Sequence, residues 1–287
     1  MLRFKPTSAW MWKRTPALRT YFARKAGKSA IVTRFDGGTR IIVSLSDHIE
    51  SQMFWQGVQE GDRGEVELLK TLLRPEHVFV DVGANIGVFS LLAAKRVPHG
   101  RVYAFEASRT HAEKLAANIK LNDYGNVIIQ AVGLSDIAGD SKLYFPPCQD
   151  GFSNTGMASQ FPFNLQSSSE ESVRCTTLDD YALRQDIGRL DIIKIDVEGA
   201  ELDVLLGARQ CIARYQPRVV MEVCKSHIER AGRTVDEIFD FWNAMHYRVF
   251  QIDQEGGLCP IGNDNDLPGH KNIYCEPKVG ELEESLP

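Results

Sequence analysis

Two groups of residues have types and spacing that could do chemistry. The first is Asp81-Val82-Gly83-Ala84-Asn85-Ile86-Gly87, a carboxylate followed by a turn with two glycines, together with Glu106, nineteen residues past Gly87. Glycines let backbone approach a ligand closely, and the start of the following helix aims its N–H groups at that ligand. A dinucleotide site would carry three glycines as G-x-G-x-x-G to admit a pyrophosphate. Here the middle glycine is missing, and Asp81 would repel a diphosphate but suits a ligand bearing an ammonium group. Glu106, at the end of the next apolar run, is placed to accept from ribose hydroxyls. Ribose plus an amino acid, without diphosphate, describes S-adenosylmethionine. The plain alternative is a Rossmann-like core strand whose Asp81 only caps a helix.

The second group is Lys194, Asp196 and Glu198, two residues apart and so on one face of a strand, with Glu222 on a neighbouring strand. Charges on a strand covered by helices are costly unless paired. The carboxyl ends of strands are also where an open α/β sheet binds ligands. Methyl transfer to an alcohol needs alignment and removal of a proton, by a nearby base or by a metal that acidifies the hydroxyl. Asp196, Glu198 and Glu222 suit either role; Asp196 and Glu222 are the pair expected to hold Mg²⁺ if a metal is used. Lys194 would neutralise the carboxylates or hold an acceptor oxygen. His227 is a weaker base candidate, expected at the surface. A structural ion cluster is the alternative to a site.

The elements that must position these groups alternate along the chain. Val78 to Val82 is an apolar β-branched run, as a buried parallel strand requires. Helical spacing follows from Ile86 through Ala94. Arg101 to Glu106 is a second strand. Thr110 and Glu113 form a capping-box pattern for a helix to Asn122. Asn126 to Gly133 reads as a third strand and Ser141 to Phe145 as a short extra one. The polar stretch 146–172, with Phe152, Phe161 and Phe163, reads as a lid or a disordered loop. Strands are further expected at 173–176, 191–199, 217–224, 247–252 and 272–275, with helix starts at Ser226-x-x-Glu229 and Thr234-x-x-Glu237. Ala30 to Phe35 and Thr39 to Val43 flank Asp36-Gly37-Gly38, a hairpin signal. The division expected is an appendage over 1–63, made of a basic arm and the hairpin, and an α/β domain over 64–287.

Composition narrows the class. A hydrophobic fraction of 43% and a charged fraction of 25% are those of a globular protein. The net charge of −5 argues against nucleic acid as a partner. The six cysteines lack any C-x-x-C pair, so free thiols in a reducing, cytoplasmic setting are expected. No apolar run approaches the roughly 20 residues that span a bilayer. Residues 1–35 hold no Asp or Glu but many Arg and Lys with interleaved aromatics. This suits a solvated helical arm, an organellar targeting peptide or a peripheral contact with anionic membrane.

Phe79-Val80-Asp81-Val82-Gly83-Ala84-Asn85-Ile86-Gly87, Phe105-Glu106-Ala107, Val132-Gly133-Leu134-Ser135-Asp136, Thr177-Leu178-Asp179 and Ile193 to Glu201 together resemble the FkbM family of S-adenosylmethionine-dependent methyltransferases. The resemblance covers roughly residues 64–275. It implies a class I Rossmann-like fold, a seven-stranded mostly parallel sheet with helices on both faces and the last strand antiparallel. It implies O-methylation of a sugar, glycolipid or polyketide-like hydroxyl. Asp81, Gly83, Ala84, Asn85 and Gly87 would hold the methionine part, Glu106 and Ala107 the ribose side, and Val132 and Gly133 the adenine side. Asp196 and Glu198 would face donor and acceptor. Ser108-Arg109-Thr110 follows Glu106-Ala107 where a proline is common. Two other classes remain to be weighed: an NAD-dependent oxidoreductase, disfavoured by Asp81, and a non-catalytic cofactor-binding or membrane-docked protein, suggested by the arm.

Overall fold

The computed structural model describes residues 25, 30–148, 152–163, 169–261 and 269–278. The basic arm expected over 1–35 lies outside the described residues, apart from Lys25 and its last six residues; so do 149–151 and 164–168 of the expected lid.

A hairpin comes first: β1 (Ala30–Phe35) and β2 (Thr39–Ser44) pair antiparallel around Asp36-Gly37-Gly38. Two helices follow, α1 (His48–Gln56) and α2 (Arg63–Leu72). The sheet then begins with β3 (Val78–Val82), α3 (Val88–Arg96), β4 (Arg101–Phe105), α4 (Arg109–Leu121) and β5 (Val127–Gln130). The chain leaves this sheet through β6 (Gly133–Leu134), β7 (Gly139–Phe145) and β8 (Ser169–Thr176), which form a three-stranded sheet of their own. It returns through α5 (Leu178–Arg184), β9 (Ile192–Ile195), α6 (Glu201–Gly207), α7 (Arg209–Tyr215), β10 (Arg218–Cys224), α8 (Lys225–Arg230), α9 (Val235–Ala244), β11 (Tyr247–Ile252), β12 (Leu258–Ile261) and β13 (His270–Pro277).

The main sheet has eight strands in the order β12-β11-β13-β10-β9-β3-β4-β5. Five of these, β10-β9-β3-β4-β5, pair in parallel, and β13 runs antiparallel between β10 and β11. This is the expected seven-stranded arrangement with one addition. The extra edge strand, β12, lies in a stretch whose Gly, Asp, Asn and Pro content reads as loop. Tertiary pairing with β11 overrides that local signal.

Phe79 and Val80 are both fully buried, as a strand covered on two faces demands. One face packs under α5, α6, α7 and α9 through Leu178, Leu205, Ile212 and Trp242. The other packs under α2 and α3 through Leu69, Phe89 and Leu92. The hairpin joins a third cluster, where Ile41 and Val43 meet Ile86, Leu91 and Leu115. Its edge is held by α4: Asn118 Oδ1 accepts from Ile42 N at 2.7 Å and Asn122 Oδ1 from Arg40 N at 2.8 Å.

Local signals vary in accuracy. The Thr234–Glu237 capping box forms at α9. The Thr110–Glu113 box does not: α4 starts one residue earlier, and Glu171 of β8 accepts from Ser108 Oγ and Arg109 N, both at 3.0 Å. Ser226 likewise caps nothing, because α8 already starts at Lys225. The strand expected over 126–133 breaks at Ala131-Val132 into β5 and β6.

Candidate active site

The turn between β3 and α3 is built by left-handed backbone at Gly83 (φ 77°), Asn85 (φ 50°) and Gly87 (φ 98°). At Gly83 no side chain fits: a Cβ would stand 1.8 Å from the carbonyl oxygen of Asp196. The turn therefore lies directly on the end of β9, and the two motifs meet. Gly83 N and Ala84 N donate to Phe105 O, at 3.0 and 2.9 Å, tying the same turn to β4.

Glu106 follows β4 and is buried. Its Oε2 accepts from Asn85 N at 2.7 Å and its Oε1 from Ser108 N at 2.8 Å. Each oxygen keeps a second lone pair for a ligand hydroxyl. His111 Nδ1 stands 3.8 Å from Oε1.

A cleft of about 1090 Å³, counted with solvent at its mouth, opens over these elements. Gly83, Ala84, Asn85, Glu106, Ala107 and Gly133 line it, and so does an acidic group, Asp196, Glu198 and Glu222. Four further expected site residues do not line it. Asp81 lies behind the wall, fully buried, accepting from Ser90 Oγ at 2.5 Å. Burial pushes its carboxyl up to about 6, against the opposing pull of that hydroxyl. Gly87 serves packing: a Cβ there would meet Leu115 Cδ1 at 2.5 Å. Val132 packs on the core beneath α5 and α6. Lys194 is wholly buried, with Nζ 3.3 Å from Glu65 Oε1, 3.4 Å from Asp196 Oδ2 and 4.9 Å over the Phe89 ring. Burial alone would lower its pKa, but Asp196, Glu65 and further carboxylates raise it, so it stays charged as their counter-ion. It is not free to hold an acceptor oxygen.

At the acid end, Glu198 adopts left-handed backbone (φ 55°) and Gly199 follows at φ 112°. Burial pushes the Glu198 carboxyl up to about 7, although His227 opposes this. Burial also raises Asp196, against Lys194. His270 Nε2 lies 2.9 Å from Glu222 Oε1, and its hydrogen bond there pushes the imidazole up to about 9. His227 is not a surface residue: its side chain is 12% exposed, with Nδ1 2.8 Å from Glu198 Oε2. Of Asp196 and Glu222, the pair named for Mg²⁺ if a metal is used, only Glu222 belongs to the group whose ligand atoms converge. Among the described residues the convergent group is Glu198, Glu222 and His227.

The described part of the stretch expected as a lid or a disordered loop reaches the cleft. Thr155, Gly156, Ala158 and Gln160 line it. Asp47, the cap of α1, fastens this segment: its Oδ1 accepts from Ile49 N and Glu50 N, and its Oδ2 from Thr155 N (3.0 Å), Thr155 Oγ1 (2.9 Å) and Ser153 Oγ (3.1 Å). Ser159 Oγ donates to Glu198 O at 2.7 Å, and Arg230 stacks on Phe163 at 4.4 Å. Sequence reasoning missed Asp47 and α1, although Asp47 before His48 to Gln56 is a readable N-cap.

Among the described residues the six cysteines are free; Cys175, Cys211, Cys224 and Cys275 are buried, and Cys148 and Cys259 are exposed. No described helix is long and apolar enough to cross a membrane.

The sheet order, with β13 reversed between β10 and β11, and the cleft at the carboxyl ends of β3, β4, β9 and β10 define a Rossmann-like α/β domain of the class I methyltransferase type. A family model described as the methyltransferase FkbM domain matches residues 81–249, over half of the chain. The chain belongs to the FkbM methyltransferase family. It is 33% identical over 235 residues to the AMB antimetabolite synthetase AmbE of Pseudomonas aeruginosa, a match covering 71% of this chain and 10% of that protein. It is 26% identical to the hexuronic acid methyltransferase AglP of Haloferax volcanii, covering 68% of this chain and 76% of that one. It is 30% identical to the 31-O-demethyl-FK506 methyltransferase FkbM of Streptomyces tacrolimicus, covering 53% and 66% respectively.

Proposed function

We propose that this methyltransferase uses S-adenosylmethionine to methylate a hydroxyl of a sugar, glycolipid or polyketide-like metabolite. The observation that carries the reading is that one cleft is lined both by Glu106, a carboxylate seat for a diol, and by Asp196, Glu198 and Glu222. Small residues beside Glu106, Ala107 and Gly133, leave room at the cleft wall for a nucleoside; a Cβ at Gly133 would meet Cys175 Sγ at 3.0 Å and Ala107 Cβ at 3.3 Å. The names of AglP and FkbM support a hydroxylated acceptor.

S-adenosylmethionine supplies, when bound, a methyl group on a positively charged sulfur. Asn85 and Glu106 would hold its ribose, Ala107 and Gly133 would flank its base, and the acid end would attract its charge. Asp196 is the candidate base. Glu198 and Glu222 each have an imidazole within 3 Å, at 2.8 and 2.9 Å, whereas Asp196 is engaged by Lys194 at 3.4 Å through Oδ2. Its raised pKa favours proton uptake from an alcohol. The lid excludes water from the acceptor side.

Calorimetric titration with S-adenosylhomocysteine tests the cofactor, and labelled methyl transfer to hexuronic acid glycosides and hydroxylated macrolides tests the acceptor. Folded protein that binds no S-adenosylhomocysteine would refute the reading.

A further inference from the structure

Three atoms at the acid end of the cleft face one another. Glu198 Oε2 lies 2.8 Å from His227 Nδ1, and Glu222 Oε2 lies 4.0 Å from the same nitrogen. All three lie within 4.8 Å of each other. Each is shielded from solvent and each lacks a hydrogen bond. The 2.8 Å approach is an ion-pair contact that leaves both atoms without a hydrogen-bond partner. Buried polar atoms are almost always hydrogen-bonded, so three orphans aimed at one point need a common partner. Two buried carboxylates also repel each other, and His270 offsets only the far oxygen of Glu222. A divalent cation satisfies all three lone pairs at once. Bonds of about 2.0–2.2 Å to nitrogen and oxygen bridge separations of this size.

The surrounding backbone is shaped to make this meeting occur. Left-handed Glu198 and Gly199 bring the turn after β9 against α8: a Cβ at Gly199 would stand 2.7 Å from His227 O. Backbone held in sparsely populated regions clusters at functional sites. The ligand side chains are themselves held. His270 Nε2 contacts the other oxygen of Glu222 at 2.9 Å, and Cys224 lies against the His227 imidazole. Such outer partners fix the direction of metal ligands.

We propose that Glu198, Glu222 and His227 form a three-ligand site for a divalent transition-metal cation. One imidazole with two carboxylates suits Mn²⁺ or Zn²⁺ better than Mg²⁺, which prefers oxygen ligands alone. Glu198 and Glu222 also line the cleft, whereas His227 does not, so a cation held by the three would lie at the cleft wall. There the cation would bind the acceptor oxygen and lower its pKa, so that Asp196 takes the proton. This role rests on the methyl-transfer reading; the binding itself does not.

The test is Mn²⁺ binding to the full chain, followed by electron paramagnetic resonance and calorimetry, with Glu222→Gln and His227→Asn as variants. S-adenosylhomocysteine is titrated into the same samples as a check on folding and on the donor end. The expected result is one Mn²⁺ per chain, weakened about tenfold or more in each variant, with the S-adenosylhomocysteine affinity of His227→Asn, which lies outside the cleft lining, unchanged within about twofold. No Mn²⁺ binding by the wild-type chain, or equal binding by both folded variants, would overturn the site. Mn²⁺ binding without S-adenosylhomocysteine binding would support the site and overturn the methyl-transfer reading.

Discussion

Replacing Glu106 by Gln removes one negative charge and almost no volume, and the geometry around it sets the expected cost. The carboxylate accepts two backbone N–H groups on opposite oxygens, from Asn85 at 2.7 Å and Ser108 at 2.8 Å. Glutamine has one acceptor oxygen. Whichever way the amide turns, its NH₂ faces one of those donors, and a buried N–H loses its partner. That costs about 1–3 kcal/mol. For a chain of this size each kcal/mol lowers Tm by about 2–4 °C, so a fall of about 2–12 °C is expected. The donor end loses more, because a hydroxyl bonded to a carboxylate is worth about 1.5–3 kcal/mol and to an amide about 1. Two ribose hydroxyls, one on each oxygen, would together lose about 1–4 kcal/mol, so S-adenosylhomocysteine should bind about 5-fold to several hundred-fold more weakly, since 1.4 kcal/mol is about a factor of ten. Calorimetry at matched temperature, with far-UV circular dichroism to confirm the fold, reads both effects. A Glu106→Gln variant that melts with the wild type and binds S-adenosylhomocysteine within about threefold would refute the assignment of Glu106 as the ribose seat.

Two further outcomes are expected. Asp81 has a folded pKa of about 6, above its ordinary value of 3.8. The folded state therefore holds the extra proton between those values, and stability falls as pH rises through that window, by on the order of 3 kcal/mol in all. Asp81→Asn keeps the Ser90 partner and lacks the titration, so its stability relative to wild type should climb from pH 4 to pH 6 in denaturant unfolding; a flat difference would contradict the buried placement. Asp47→Asn keeps an oxygen for the α1 cap but turns its amide toward the Thr155 N–H. Hydrogen exchange should accelerate about tenfold or more over 152–158 with 48–56 protected as before, and equal protection of both segments would show that Asp47 does not hold the lid.

Much of this was legible because the chemistry lies at sharp local signals. Asp81 to Gly87 did form a strand, a left-handed turn and a helix, and Glu106 did arrive opposite that turn. The face rule for alternate strand residues grouped Lys194, Asp196 and Glu198 on a strand expected over 191–199, but β9 ends at Ile195 and Glu198 lies in the left-handed turn beyond it, so the rule could not say which of them reach the cleft. Lys194 was lost to Glu65, a residue more than a hundred positions away whose approach no local pattern announces. His227 looked like a lone surface histidine because its partners, Glu198 and Glu222, come from two other elements. Gly87 matched the motif for a reason that spacing cannot reveal, its contact with Leu115 of α4. β12 was hidden because its four residues have no strand signal apart from the neighbour they pair with.

The contact between Gly83 and the Asp196 carbonyl welds the donor seat and the acid wall into one piece. Any atom added at Gly83 would pry those two halves apart, so a change on one side of the joint is felt on the other. The described residues between β7 and β8 meet this joined piece from outside, held through Asp47 and the Glu198 carbonyl.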